Sequence, residues 1–117
     1  VRAMPNTPAL VGKGVTGISK GEFATDAQLT IAKNLLEAVG QVVVVNEDQI
    51  DVVAAASGSG PAYYFYVTEL LIEAAVSNGL SRDVAQVLVE NTFVGSSDLF
   101  ENSDDDDNLL GKNIKIE

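Results

Sequence analysis

The pattern of this sequence changes once, between Asn46 and Glu47, and that change limits the fold more than any overall composition figure does. Up to Asn46 the chain holds four basic and three acidic residues; from Glu47 onward it holds three basic and fourteen acidic ones. Hydrophobic spacing changes at the same place. Before the step, a strand is expected over residues 15–19, and Thr25 with Gln28 three residues on reads as a capping box opening a helix. Ile31, Ala32, Leu35, Leu36 and Val39 recur at helical spacing, with Gly40 at the expected C-cap. Four consecutive valines then follow Gln41. A β-branched run without alternation predicts a strand buried on both faces, as in a parallel sheet. Strand, helix, strand is one βαβ-like unit and not a whole sheet.

After the step only helical signals remain. Residues 47–56 read as a short helix with acidic residues in its first turn. Ser57, Gly58, Ser59, Gly60 and Pro61 break it. A long helix is expected over 62–78, with Tyr63, Phe65, Tyr66, Val67, Leu70, Leu71, Ala74 and Ala75 as its apolar face. Asn78 and Gly79 end it, and Ser81 caps a further helix over 82–100, with Val84, Val87, Leu88, Phe93, Val94 and Leu99 as core residues. Two helices and a short one cannot enclose much core, so the apolar excess on 62–78 is expected to be buried against another chain or further helices. A length of 117 residues suits one compact domain or two partial ones. The fold class is therefore an α/β remnant over 1–46 followed by an all-α portion over 47–117, mainly α overall.

Composition removes several chemistries. The chain has no cysteine, histidine or tryptophan. Disulfides, thiolate-bound metals and any histidine-based triad are thereby excluded. A net charge of -10 argues against a nucleic-acid partner, which needs clustered Lys and Arg. The longest apolar runs, over 41–45 and 52–56, fall far below a membrane span of roughly 20 residues. No leader is visible, and the sequence begins without an initiator methionine, so it reads as an internal segment of a cytoplasmic protein.

Several motifs admit plainer readings. Gly12-Lys13-Gly14-Val15-Thr16-Gly17 matches G-x-G-x-x-G, but a dinucleotide fingerprint must follow a strand and open a helix. Here it follows a proline-rich turn and runs into a strand, so these are turn glycines. The aspartates at 104–107 lack the glycine and glutamate that a calcium loop needs, with Leu109 and Lys115 in those places, and read as a solvated acidic run. Tyr63, Tyr64 and Tyr66 read as core and interface residues. The stretch from Ser57 to Pro61 is either an ordinary interhelical turn or an anion site, in which small residues let backbone N–H groups and two hydroxyls reach a carboxylate. It is not a nucleophile elbow, which would require glycine at 57.

Arg2-Ala3-Met4-Pro5-Asn6-Thr7-Pro8, followed by Ser57-Gly58-Ser59-Gly60-Pro61-Ala62-Tyr63, resembles the pyrroline-5-carboxylate reductases. Leu36-Glu37-Ala38-Val39-Gly40-Gln41-Val42 and Asn78-Gly79-Leu80-Ser81-Arg82 fit as well, so the resemblance covers about residues 1–100. It implies that residues 1–46 are the C-terminal part of a Rossmann-like domain binding NADPH (or NADH). Residues 47–117 would be an incomplete helical dimerisation domain with an acidic tail. The implied reaction is hydride transfer to the C=N bond of 1-pyrroline-5-carboxylate, giving L-proline. The implied assembly is a homodimer or a higher homo-oligomer.

By the same resemblance Met4, Pro5, Asn6 and Thr7 bind the nicotinamide end of the cofactor. Ser57, Gly58, Ser59, Gly60 and Pro61 bind substrate. No general acid and no metal ligand is assigned. The Gly-rich first half of the cofactor domain is absent, as is the later Ser-Pro-Gly-Gly-x-Thr segment. Leu109-Leu110-Gly111-Lys112-Asn113-Ile114 resembles only the lead-in to that segment. The chain by itself is therefore expected to be inactive. The alternative is a non-catalytic helical association module.

Overall fold

The structure, a computed structural model, describes residues 1–103. The acidic run at 104–107 and the stretch resembling the lead-in at 109–114 lie outside the described residues. The described chain is mainly α, with a small three-stranded sheet. It divides into two compact units, Val1–Phe65 and Tyr66–Glu117.

The first unit is built on the sheet. Strand β1 (Arg2–Met4) runs antiparallel to β2 (Gly14–Ser19), with Arg2 opposite Ser19 and Met4 opposite Gly17. Helix α1 (Asp26–Leu36) then carries the chain to β3 (Gly40–Val44), which pairs parallel to β2 from Gly14 opposite Gly40 to Ile18 opposite Val44. The expected βαβ unit is present, and β1 adds a strand that the spacing does not predict. Strand β2 is the centre of the sheet, and Ile18 is fully buried. Strand β3 departs from expectation. Its Val43 and Val44, which point to opposite faces of the sheet, are half exposed, so the described residues do not fully cover either face there.

Local capping signals fix the helix start. The Thr25 hydroxyl accepts the Gln28 N–H at 3.2 Å while Gln28 Oε1 accepts the Thr25 N–H at 2.9 Å. The C-terminus differs from expectation. The helix ends at Leu36, tightens into a 3-10 turn at Glu37–Val39, and Gly40 opens β3 instead of capping α1. The Glu37 N–H closes the last turn onto the Lys33 carbonyl, so no left-handed cap is needed there.

The expected helix over 47–56 is broken into shorter pieces. A 3-10 turn at Glu47–Gln49, with a second capping box between Asn46 and Gln49, leads into helix α2 (Ile50–Val53) and then a π-helical turn at Ala54–Gly58. Ile50 is buried, and Val53 lies against Gly17 of β2. A Cβ on Gly17 would come within 2.6 Å of Val53 Cγ1. Gly17→Ala is therefore expected to destabilise the unit by about 1–3 kcal/mol through overpacking. Adding Val53→Ala should recover most of that loss in urea unfolding. Failure of the second substitution to restore stability would count against this contact as the cause.

Helix α3 (Gly60–Ser77) and helix α4 (Arg82–Glu101) agree closely with the expected ranges. Between them Gly79 takes a φ of 109°. The Leu80 N–H reaches the Ala75 carbonyl at 3.2 Å and the Gly79 N–H reaches Val76 at 3.0 Å, the bonding of a Schellman C-cap. The Ser81 hydroxyl accepts the Val84 N–H at 3.4 Å. Across the turn Arg82 pairs with Glu73 at 2.8 Å. The hydrogen bond from Arg82, and then its charge, hold the Glu73 carboxyl below its ordinary range.

The buried apolar side chains of the second unit, among the described residues, are Ile72 and Ala85. The expected core residues of 82–100, Val84, Val87, Leu88, Phe93, Val94 and Leu99, are instead exposed, and Tyr66, Val67, Leu70 and Leu71 of the apolar face of α3 are exposed too, as expected of a face that another chain or further helices would cover. Two helices joined by a tight turn share one narrow face, so the remaining apolar surface has nothing among the described residues of this unit to cover it. No helix among the described residues is long and apolar enough to cross a membrane.

Candidate functional site

Residues from the two distant motifs meet within the first unit. Met4 ends β1, and Pro5 lies between it and Asn6, whose backbone is extended (φ −134°, ψ 165°) before a 3-10 turn at Thr7–Val11. The Asn6 side chain does not cap that turn. Its Oδ1 accepts the Val15 N–H at 2.9 Å, and its Nδ2 donates to the Ser57 carbonyl at 3.2 Å. A backbone N–H can only donate and a carbonyl can only accept, so these partners fix which way the amide faces.

The other side of the site is the π-helical turn. The Ser59 N–H closes onto the Ala54 carbonyl at 2.8 Å, one residue wider than an α-helical bond. Such turns recur at functional sites. The Ser57 hydroxyl donates back to the Val53 carbonyl at 3.0 Å, so it stabilises the turn. Gly58 lies against Met4, where a Cβ would sit 3.3 Å from the methionine sulfur. Gly60 is buried and opens α3, with Pro61 next. The Tyr63 hydroxyl donates to the Ala55 carbonyl at 3.3 Å and braces the turn from α3. Thus Asn6 is brought to Ser57 and Met4 to Gly58, while Pro5, Thr7 and Ser59 are exposed.

The chemistry available here is narrow. None of the singled-out residues ionises near neutral pH. Amide, hydroxyl and backbone groups can bind and orient a ligand, but they do not make an acid–base pair. An apolar groove of about 210 Å³ runs beside Ser57, lined by Val15, Val43, Val45, Val52 and Ala56. That volume is below the range of about 300–1,000 Å³ usual for small-molecule pockets. The glycines of the G-x-G-x-x-G match take no part in a phosphate cradle. Gly12 ends the 3-10 turn in the left-handed region, while Gly14 and Gly17 lie in β2.

Residue spacing gives no sign of the Tyr63 brace, and only an indirect one of the π-helical turn. One signal for the turn was available: Pro61 stands four residues after Ser57 and has no N–H to offer the Ser57 carbonyl.

A family model described as pyrroline-5-carboxylate reductase dimerisation matches residues 47–114. The pyrroline-5-carboxylate reductase of Mycobacterium tuberculosis is 54% identical over 97 residues, covering 83% of this chain and 33% of that protein. That of Synechocystis is 43% identical over 105 residues, covering 90% of this chain and 39% of the relative. Among solved structures, a pyrroline-5-carboxylate reductase from Coxiella burnetii gives a TM-score of 0.77 at 43% identity, over 88% of this chain and 38% of that one. Plasmodium falciparum pyrroline carboxylate reductase with NADP bound gives 0.76 at 35% identity, over 87% and 42%. The chain thus spans about a third to two fifths of the length of these curated relatives.

Proposed function

This chain belongs to the pyrroline-5-carboxylate reductase dimerisation family, and from that membership we propose that it is part of an NAD(P)H-dependent enzyme reducing 1-pyrroline-5-carboxylate to L-proline. The observation that carries the proposal is the hydrogen bond between Asn6 and Ser57, which ties the loop read as cofactor-binding to the turn read as substrate-binding. Residues 1–46 are then the C-terminal portion of a Rossmann-like domain. Residues 47–117 are an incomplete dimerisation domain with an acidic tail. The start of the family match at residue 47, where charge and spacing change, supports that division.

The residues fit one end of the cofactor. Met4, Pro5, Asn6 and Thr7 offer apolar edges, backbone groups and a hydroxyl, but no cation. That set suits an uncharged nicotinamide ring and not a pyrophosphate, whose cradle needs a strand–turn–helix. When bound, NADPH or NADH supplies the hydride. The role of Ser57, Gly58, Ser59, Gly60 and Pro61 is to bind the substrate and hold its imine carbon toward that ring. The assembly is a homodimer or a higher homo-oligomer, and the protein is cytoplasmic.

The full-length protein carrying this sequence is expected to consume NADPH only when 1-pyrroline-5-carboxylate is added, with L-proline as product. Absence of turnover overturns the proposal. Residues 1–117 alone are expected to show no turnover, because the phosphate cradle is not among them. A second reading, a non-catalytic helical association module, is favoured by the exposed apolar side chains of α3.

A further inference from the structure

We infer that Asn6 is a positioning residue of the reductase site, holding the 4–7 loop to the 57–61 turn through its side chain instead of binding cofactor with it. The inference rests on the reading proposed above. In a regular α-helix the Ser57 carbonyl would accept the N–H of residue 61. That residue is Pro61, which has none. Asn6 Nδ2 brings a donor to this carbonyl at 3.2 Å from 51 residues away in sequence. Its Oδ1 simultaneously takes the Val15 N–H at 2.9 Å, at the second residue of β2.

Both ends of the amide are thus engaged by backbone on two different elements. The contact is seconded by Gly58, whose missing side chain leaves room for Met4. The motifs interlock pairwise: Asn6 answers the N–H missing at Pro61, and Gly58 answers Met4. Loss of this clamp would let the ring-binding loop and the substrate turn drift apart, and hydride transfer depends steeply on that spacing.

The test uses the full-length protein and compares Asn6→Asp, Asn6→Ala and the double variant Asn6→Ala/Pro61→Ala. Aspartate keeps the acceptor for Val15 but loses the donor and sets an oxygen against the Ser57 carbonyl. Both single variants are expected to lower kcat per NADPH-binding site by roughly tenfold to a hundredfold, with KM for NADPH near the wild-type value. The double variant restores an N–H at residue 61 but not the link to the 4–7 loop, so it is expected to keep the low kcat of Asn6→Ala. Three outcomes overturn the inference: a rise in KM for NADPH at unchanged kcat, which makes Asn6 a direct cofactor ligand; fewer folded sites with unchanged kcat per site, which makes it merely structural; or recovery of kcat on adding Pro61→Ala, which makes the unsatisfied Ser57 carbonyl, and not the clamp, the cause. A wild-type protein without turnover would instead remove the reductase reading itself.

Discussion

Replacing Gly40 by alanine is expected to unfold the sheet unit, whereas the same replacement at Gly12 should cost only about 1–2 kcal/mol, the usual penalty for a left-handed non-glycine residue. Both glycines have positive φ, 152° and 72°, so the comparison separates backbone strain from crowding. Nothing lies within 4 Å of a Cβ placed on Gly12. A Cβ on Gly40 would overlap the carbonyl and nitrogen of Gly14, its partner in the parallel register. Gly14 cannot retreat, because its own Cα faces Ala9 so closely that a Cβ there would stand 2.9 Å from Ala9 Cα. Backbone-on-backbone overlap belongs with the severe losses, about 4 kcal/mol or more. Typical stabilities per residue give a 65-residue unit only about 3–10 kcal/mol in total. Urea unfolding followed by far-ultraviolet circular dichroism would decide the matter. Equal losses for the two variants would mean that the start of β3 does not approach β2 this closely.

Gly40 also shows how far local signals carry. Spacing marked it as a stop, and the chain does change direction there, but the reason is non-local: two strands approach at a point where neither tolerates a side chain. Where the determinant was local, sequence was enough. The Thr25–Gln28 box and the cap at Ser81 involve groups three residues apart, and both are present. Burial was less legible. The four valines after Gln41 carry the strand signal, yet strand type does not say whether a chain provides cover for both faces. In α3 the buried side chain is Ile72, which was not among the expected face, while Leu70 and Leu71 are exposed. A helix apolar around most of its circumference has no preferred face that periodicity can find.

The site was legible in a different way. Spacing alone left the Ser57 to Pro61 stretch open between a turn and an anion site, and the resemblance joined it to the Met4 to Thr7 loop. What neither supplied was the mechanism of the junction. A side-chain bond spanning 51 residues leaves no periodic trace. The π-helical turn stands in place of the end of the expected plain helix, because the proline that removes the N–H at 61 acts backward on the preceding turn. Pro61 stands in the first turn of α3 and equally determines how the previous helix ends.

Substituting Leu70 and Leu71 together by lysine is expected to weaken self-association of the chain by roughly a thousandfold. Tyr66, Val67, Leu70 and Leu71 are 49–61% exposed, an apolar patch left uncovered among the described residues. Completing the burial of a half-exposed leucine is worth about 1 kcal/mol on the transfer scale. A two-fold interface counts each residue twice, so the pair contributes about 4 kcal/mol, close to three tenfold steps in Kd. Leu10→Lys is the control. Leu10 is 90% exposed on a 3-10 turn of the first unit, so it should change association little. Sedimentation velocity at micromolar concentration reads both results. A monomeric wild type, or a double-lysine variant that associates like it, would show that α3 is not an interface. That outcome would strike the association module and the dimeric reductase alike, since both need this surface covered. Association lost in the variant, with NADPH oxidation lost alongside it in the full-length protein, is the combination that the reductase expects and that a purely associative module has no reason to produce.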